Sequence, residues 1–305
     1  MHTAEPPKRP RLRALASPHT RAALQALFVT LLWSTSWVLI KIGLREIPAL
    51  TFAGLRYVLG FFCLLPFALR PDRRACLRRL DRHGAVRFIL LGVLIYAVMP
   101  GSHYLGLVYL PAVTVNLLQN TTAIFVALMG IRLLGEQPTT RQWAGVAVFM
   151  LGLLTYLGPV PPPQSQALGL LIVMIGVVCN AAGAVLGRSI NRAGSFPPVT
   201  VTAVSMGVGG FLLLAVGLAA HGWPTLTPQH WAIILWLAVV SSALAYTLWN
   251  ESLRVLSAAE SSILNNTMLI YIAILAWVFL GEALDPRQLL GMGVAAAGIL
   301  LVQLR

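Results

Sequence analysis

Apolar runs of about 20 residues recur along almost the whole chain, and this recurrence limits the fold more than any other feature of the sequence. A helix of that length crosses roughly 30 Å of hydrocarbon. The chain is 58% hydrophobic and 10% charged, so a soluble domain of this composition would have to cover its surface with Leu, Val and Ala. We therefore predict an all-α, polytopic membrane protein.

The apolar runs divide into ten predicted transmembrane helices. They cover residues 22–43, 49–70, 86–107, 111–134, 140–158, 167–188, 197–220, 230–252, 257–281 and 286–304. The uncharged linker PVPPPQSQ separates the fifth helix from the sixth and marks the midpoint of the chain. The predicted domains are therefore a basic tail (1–21), a first five-helix repeat (22–158) and a second five-helix repeat (167–304).

Residues 110–154 align with residues 256–300 without a gap, at a constant offset of 146 positions. Polar residues and glycines coincide as well as apolar ones: Asn120 with Asn266, Gly135–Glu136 with Gly281–Glu282, and Arg141–Gln142 with Arg287–Gln288. Because each half has an odd number of helices, the second half enters the membrane from the opposite side. Inverted repeats are typical of alternating-access transporters, whose substrate binds near the midplane between the repeats.

The aligned stretch also predicts local structure. Thr139 and Asp285 can each cap the helix that follows, with Gln142 and Gln288 three residues later as the capping-box partners. Four glycines recur on the fifth and tenth helices and are expected to let helices approach closely; they are Gly145, Gly152, Gly291 and Gly298.

The formal charge of +13 raises the question of a nucleic-acid partner. Basic residues concentrate in the head PPKRPRLRALASPHTR and in RPDRRACLRRLDRHGAVR between the second and third spans, without interleaved aromatic residues. In a membrane protein such clusters mark the cytoplasmic side. We predict that both termini are cytoplasmic, that the lipid bilayer surrounds the chain, and that nucleic acid is not a partner.

The segment WSTSWVLIKIGLREIPALTFAGLRYVLG (33–60) places Trp33 in helix one, Lys41 near its end and Arg56 in helix two. With the two GE turns and the duplicated halves, it resembles the drug/metabolite transporter superfamily, in the ten-helix EamA-type branch. Within that branch the chain is similar to YddG-type exporters, which implies export of amino acids, aromatic ones included, and related metabolites across a bacterial inner membrane. The second half departs from the pattern, because Asn180 stands where the first half has Trp33.

Polar and aromatic side chains at mid-depth are the candidate substrate-binding residues, because an unsatisfied polar group in hydrocarbon is costly and turns inward. They are Trp33, Trp37, Tyr96, Asn116, Gln119, Asn120, Asn180, Tyr246, Trp249, Asn265 and Asn266. Each has a structural alternative: amides also join membrane helices, and tryptophans also lie at the membrane interface. Matched placement across the repeat favours substrate contact for Asn120 and Asn266.

No Asp or Glu lies at the centre of a predicted span. Proton-coupled cation exporters use a membrane-embedded carboxylate, so this inventory argues against that mechanism. The candidates for coupling or charge recognition are Arg56, His103, Glu251 and Glu260. Arg56 could attract a substrate carboxylate, or instead bind helix-end carbonyls or lipid phosphate, whereas Lys41 is close enough to the outer surface to extend towards it.

The sequence has no Walker loop, no HExxH and no mid-membrane metal cluster, so we predict no cofactor, metal site or catalytic residue. We predict secondary export of small neutral or zwitterionic metabolites by a monomer or weak homo-oligomer. Alternatives within transport are a broad drug exporter and a sugar-phosphate-type translocator, the latter requiring several inward Lys or Arg. A membrane scaffold is the alternative outside transport, although a scaffold would not need matched polar groups at mid-depth.

Overall fold

The computed structural model describes residues 18–71, 81–134, 139–159, 163–192, 196–256 and 258–303. Ten helices follow one another through these ranges: α1 (Pro18–Gly43), α2 (Ala49–Ala68), α3 (Arg82–Tyr109), α4 (Ala112–Asn120 and Thr122–Leu134), α5 (Thr140–Leu157), α6 (Gln164–Arg192), α7 (Pro198–His221), α8 (Pro228–Leu235, Trp236–Leu244 and Ala245–Ser252), α9 (Ala258–Leu280) and α10 (Pro286–Gln303). The predicted all-α fold and its ten helices are confirmed, and most helix ends lie within a few residues of the prediction.

Length and composition allow seven of these helices, α1 to α4, α6, α7 and α9, to cross a membrane on their own. The tenth helix is apolar but shorter, and α5 packs along α10. Large apolar side chains point outward from the bundle: Trp277 is 64% exposed, Leu290 63% and Leu151 61%. Side chains of this kind are stable in contact with lipid, so the outer surface of the bundle is a membrane-facing surface.

The repeat extends beyond the aligned stretch. Helix starts agree at the offset of 146 positions in four pairs, which are Pro18 with Gln164, Arg82 with Pro228, Ala112 with Ala258, and Thr140 with Pro286. Wider π-helical turns interrupt α3 at Val93–Val98 and α8 at Trp236–Leu244, and these turns end at equivalent positions. The third helix of each half therefore shares its irregularity as well as its start.

The packing of the helices is symmetric: each of the main packed pairs has an equivalent pair when every helix is replaced by its counterpart in the other repeat. The most extensive contacts join α5 to α10 and α2 to α7, and in each of these pairs the two helices are counterparts in the two repeats. Elsewhere α1 packs on α8 and α9, and correspondingly α6 packs on α3 and α4. This pairing is that of two five-helix repeats related by a pseudo-twofold axis, as the odd helix count predicts for an inverted repeat.

Glycines bring α5 and α10 together. A Cβ at Gly145 would lie 2.6 Å from the backbone nitrogen of Val302, and a Cβ at Gly152 or Gly291 would overlap the backbone of Ala295 or Tyr156. The predicted packing role of these glycines is confirmed.

Both predicted helix caps are also present. In the first half, Thr139 and Gln142 form a reciprocal capping box at the start of α5. In the second half, Gln288 N donates to Asp285 Oδ1 at 2.6 Å, and Asp285 N donates to Gln288 Oε1 at 3.0 Å. The two halves therefore begin their fifth helices in the same way.

Candidate functional site

Two adjoining cavities lie inside the bundle. The first, which we name the amide cavity, has a volume of about 170 Å³ and is lined by Trp37, Asn116, Gln119, Asn120, Asn265, Asn266, Met268, Leu269, Ala296 and Ile299. The second, the aromatic cavity, has a volume of about 220 Å³ and is lined by Trp33, Ser36, Trp37, Ile40, Arg56, Tyr57, Met99, Pro100, His103, Tyr104, Leu107, Gln119, Ser241 and Met268. Trp37, Gln119 and Met268 belong to both linings and form the boundary between the cavities.

The amide cavity receives equivalent residues from the two repeats. Asn120 lies eight positions after the start of α4, and Asn266 lies eight positions after the start of α9. At 1.5 Å per residue each is about 12 Å from its helix start. Since α4 and α9 start at opposite ends of the bundle, both amides reach mid-depth and line the same cavity.

A local irregularity accompanies these amides on α4. The helix is interrupted at Thr121, whose hydroxyl donates to Leu118 O at 2.5 Å. The equivalent Thr267 on α9 donates to Leu264 O at 2.6 Å within a continuous helix. Asn120 Nδ2 donates to Asn116 O at 3.0 Å. Both hydroxyls therefore bond to their own helix backbone, and so does the Asn120 amide at the wall of the amide cavity.

Gln119 stands at the boundary of the two cavities. Its Oε1 atom is buried and has no hydrogen-bond partner among the described residues. A buried acceptor without a partner costs roughly 1–3 kcal/mol, a cost that a ligand donor would remove. Gln119 is therefore placed to accept a hydrogen bond from a molecule in either cavity.

The aromatic cavity contains a cation. Arg56 Nη1 donates to Tyr104 Oη at 3.4 Å, and its guanidinium carbon lies 5.6 Å from the centroid of the Tyr57 ring. His103, only 8% exposed, has its ring centroid 6.3 Å from that of Trp37. The cavity thus combines a positive charge with flat apolar surfaces.

Trp33 of α1 is held in place by contacts with α8. Trp33 Nε1 donates to Ser241 O at 3.0 Å, beside the π-helical turn of α8. Its ring packs on Trp249, with 5.3 Å between the centroids. Trp249 therefore supports Trp33 rather than lining either cavity.

Other predicted site residues lie outside the two linings. Asn180 Nδ2 donates to Thr122 Oγ1 at 3.3 Å and joins α6 to α4. Tyr96 packs on Tyr57 at 5.8 Å between centroids and lies behind the aromatic cavity. The backbone of Tyr246 lies in α8, but its side chain is not among those that the structure describes.

The two acidic coupling candidates lie at the end of the bundle where α1 begins. Glu251 accepts from Gln25 Nε2 at 3.1 Å, and Glu260 pairs with His19 at 2.8 Å. Arg56 and His103, in contrast, line the aromatic cavity.

Sequence reasoning missed several lining residues, chiefly Tyr57, Tyr104, Ser241 and Met268. The rotation of α2 and α3 about their axes decides which side chains enter the cavity, and that rotation is not visible in an apolar helix with polar residues on several faces. One signal was present: Tyr57 and Tyr104 directly follow the two charged or titratable candidates inside the spans, Arg56 and His103.

Lys41 does not extend to the surface as expected. Its ammonium lies 2.6 Å from Glu282 Oε1 and 2.6 Å from Leu110 O. Glu282 also accepts from the backbone nitrogen of Ala112 at 2.9 Å. These side chains are 24% and 15% exposed, and the charge-assisted contacts with Glu282 and Leu110 hold the ammonium of Lys41 inside the bundle. The second GE turn is thus tied to helices of the first half.

A membrane bundle of two five-helix repeats, with a polar cavity at mid-depth built by both, is the architecture of a transporter. The model of the EamA-like transporter family matches residues 20–158 and 167–304, and the chain belongs to this family. The resemblance found in the sequence is confirmed, and with it the multi-pass membrane placement.

Two relatives of the chain are named as transporters. A probable amino-acid metabolite efflux pump of Salmonella typhimurium is 27% identical over 284 residues, which cover 90% of this chain and 92% of that protein. An Escherichia coli protein with the same name is 25% identical over 238 residues, covering 75% and 76%. A solved crystal structure with 17% identity covers 92% of this chain and 96% of its own with a TM-score of 0.61, and it shares the fold.

Proposed function

We propose that the protein is a secondary transporter that exports small neutral or zwitterionic metabolites, specifically amino acids including aromatic ones, by alternating access. The observation that carries the proposal is the meeting of Asn120 and Asn266 in one cavity beside Trp37. Equivalent amides from the two repeats allow both halves to contact one substrate, and the tryptophan supplies an apolar face. The names of the Salmonella and Escherichia coli relatives support the substrate class.

Cavity size favours a small metabolite over a bulky drug. Drug-sized ligands occupy pockets of about 300–1,000 Å³. The two cavities have volumes of about 170 Å³ and about 220 Å³, so each is below that range. Taken together, the adjoining cavities reach only the lower end of that range, which favours a small metabolite over a large drug.

Charge favours a neutral or zwitterionic molecule. The two linings contain no Asp or Glu, and Arg56 is the one Arg or Lys among their residues. A cationic drug would therefore meet no acid there, and a sugar phosphate would meet a single guanidinium rather than several cations. Membership of a transporter family supports transport rather than catalysis.

We further propose the placement in the cell. Basic residues concentrate in the sequence stretches 1–21 and 70–87, which include the start of α1 and the segment that joins α2 to α3. The positive-inside rule therefore assigns the end of the bundle where α1 begins to the cytoplasm of a bacterial inner membrane. Both termini are then cytoplasmic. The proposed division of the chain is a tail (1–21) and two repeats (22–158 and 167–304).

Alanine variants of the matched amides test the proposal. Asn120→Ala and Asn266→Ala should each lower amino-acid counterflow by about 10-fold, because each removes a hydrogen-bonding group from the cavity. Asn180→Ala is the matched control, since its amide bonds to Thr122 outside the cavity. If counterflow is unchanged in both cavity variants at normal expression, the assignment of the amide cavity as the substrate site is refuted.

A further inference from the structure

We infer that Gln119 and His103 form the subsite for the amino group of the substrate, and that this pair selects amino acids over acids that lack an amino group. The inference rests on the proposed function, because the amino group is that of the proposed amino-acid substrate. It assigns a ligand group to two buried polar atoms for which the described part of the chain provides no hydrogen-bond partner.

Two unpartnered atoms belong to the wall of one cavity. Gln119 lies on α4 and His103 on α3, and both residues line the aromatic cavity. Gln119 Oε1 and His103 Nε2 are buried, and neither is hydrogen-bonded within the ranges that the structure describes. Buried polar atoms in folded proteins are nearly always paired. Two such atoms at one cavity therefore indicate a ligand that pairs with both.

The partner that Gln119 requires is a hydrogen-bond donor, because an amide oxygen can only accept. Neighbouring donors in the cavity wall are already bonded inside the protein. Trp33 Nε1 donates to Ser241 O at 3.0 Å, and Ser36 Oγ donates to Ser241 Oγ at 2.8 Å. The missing donor is thus a group of the ligand.

The imidazole of His103 supplies the second acceptor. A neutral histidine with its proton on Nδ1 presents Nε2 as an acceptor. An ammonium has three N–H donors and can therefore pair with both Gln119 Oε1 and His103 Nε2. A hydroxyl has a single donor and leaves one of the two acceptors unpaired. An ammonium is the ligand group that satisfies the pair.

An aromatic ring beside the pair also suits an ammonium. The ring centroid of Trp37 lies 6.3 Å from that of His103, and Trp37 lines the same cavity. Cations are attracted to the faces of aromatic rings, most strongly to tryptophan. Arg56 lines this cavity as well. A zwitterion has no net charge, so it brings an ammonium into the cavity without adding to the charge there.

The test compares ligands that differ in the amino group. Binding of L-phenylalanine, L-3-phenyllactate and 3-phenylpropanoate to the purified protein is measured by titration calorimetry. Phenyllactate has a hydroxyl in place of the amino group, and 3-phenylpropanoate has a hydrogen. We expect wild type to bind phenylalanine about 10-fold or more tightly than 3-phenylpropanoate, with phenyllactate between them, because the acids leave one or both buried acceptors unpaired.

Variants of the two residues test which side chains cause this preference. Gln119→Met keeps the length of the side chain but removes the oxygen. We expect it to reduce the preference for phenylalanine by about 3- to 10-fold without weakening the binding of 3-phenylpropanoate, which makes no hydrogen bond to that oxygen. His103→Phe should reduce the preference as well, whereas His103→Gln, which keeps an acceptor, should retain part of it.

Gln229→Met and His221→Phe are the matched controls, because both side chains are exposed at helix ends, at the start of α8 and the end of α7. Equal wild-type affinities for phenylalanine and 3-phenylpropanoate would overturn the inference, and this comparison needs no variant to fold. Equal weakening of both ligands in Gln119→Met would overturn it too. In either case, transport of phenylalanine would leave the proposed function in place.

A further ligand separates the two claims if no amino acid binds or is transported. The compound 2-phenylethylamine keeps the ring and the amino group but lacks the carboxylate. Binding of 2-phenylethylamine that depends on Gln119 would then refute the proposed substrate class and keep the amino-group subsite. Failure of 2-phenylethylamine to bind would then refute both claims.

Discussion

At the scale of single residues, the polar groups are divided between two cavities, and the proposed binding of a zwitterion depends on this division. Amides line one cavity, and a guanidinium, an imidazole and two tyrosines line the other. Trp37 belongs to both and is the apolar surface that a ligand in either cavity would touch. If the protein carries amino acids as proposed, we expect this ring to favour aromatic over small ones.

Replacing Trp37 tests this role. Trp37→Leu should raise the KM for phenylalanine by about 3- to 10-fold, because an aromatic pair contributes roughly 0.5–1.5 kcal/mol beyond its buried area. The KM for alanine, whose methyl group gains little from stacking, should stay within about 2-fold. Initial rates of counterflow measure both constants. Trp277→Leu, at a lipid-facing position, is the control. An equal rise for both amino acids would contradict the assignment.

Sequence reasoning located much of the site but not all of it. Nine of the predicted residues line the cavities: Trp33, Trp37, Arg56, His103, Asn116, Gln119, Asn120, Asn265 and Asn266. Asn180 carries the same amide as Asn120, yet it bonds to another helix, and the sequence offers no means of separating these two uses of an amide. Whether any of these residues binds substrate stays a prediction.

At the scale of helices, the bundle depends on a close crossing between α5 and α10. The glycines at this crossing leave room for backbone but for no side chain, since a Cβ at Gly152 would overlap Ala295. Helix ends and caps followed from the sequence because apolar length and capping residues are local properties. The π-helical turns of α3 and α8 were not predicted, because an extra residue per turn has no clear signature in an apolar run.

A leucine at the crossing should destabilise the protein. Gly152→Leu forces α5 and α10 apart, and overpacking of this kind costs roughly 1–3 kcal/mol or more. We expect a fall of several degrees in the midpoint of thermal unfolding in detergent. Gly293→Leu is the matched control on α10, because a Cβ there meets nothing within 4 Å. If both variants unfold at the wild-type temperature, α5 and α10 do not approach as closely at Gly152 as the structure indicates.

At the scale of the whole molecule, an ion pair joins the two halves at one end. Lys41 at the end of α1 bonds to Glu282 between α9 and α10, and Glu282 also bonds to the start of α4. The pair therefore ties the first repeat to the second at the proposed periplasmic side. Alternating access requires the halves to separate there in another state.

Removal of the charge on Glu282 should favour that separation. A cysteine at position 36, in the aromatic cavity, is introduced into a variant with Cys63, Cys76 and Cys179 replaced by Ala. Glu282→Gln should increase its labelling by a membrane-impermeant thiol reagent from the periplasmic side about 3-fold or more. Asp285→Asn, an exposed acid at the same end whose described ion pair is with Arg287 of its own half, is the control. Labelling that does not change would show that the pair does not hold this end closed.

Counterflow in proteoliposomes would show whether the protein carries amino acids. Purified protein is reconstituted, and a panel of radiolabelled amino acids is offered with and without a pH gradient. We expect saturable flux of neutral amino acids, phenylalanine among them, that does not depend on the gradient, because the cavity linings contain no Asp or Glu to relay a proton. Flux of cationic dyes without flux of any amino acid would contradict it.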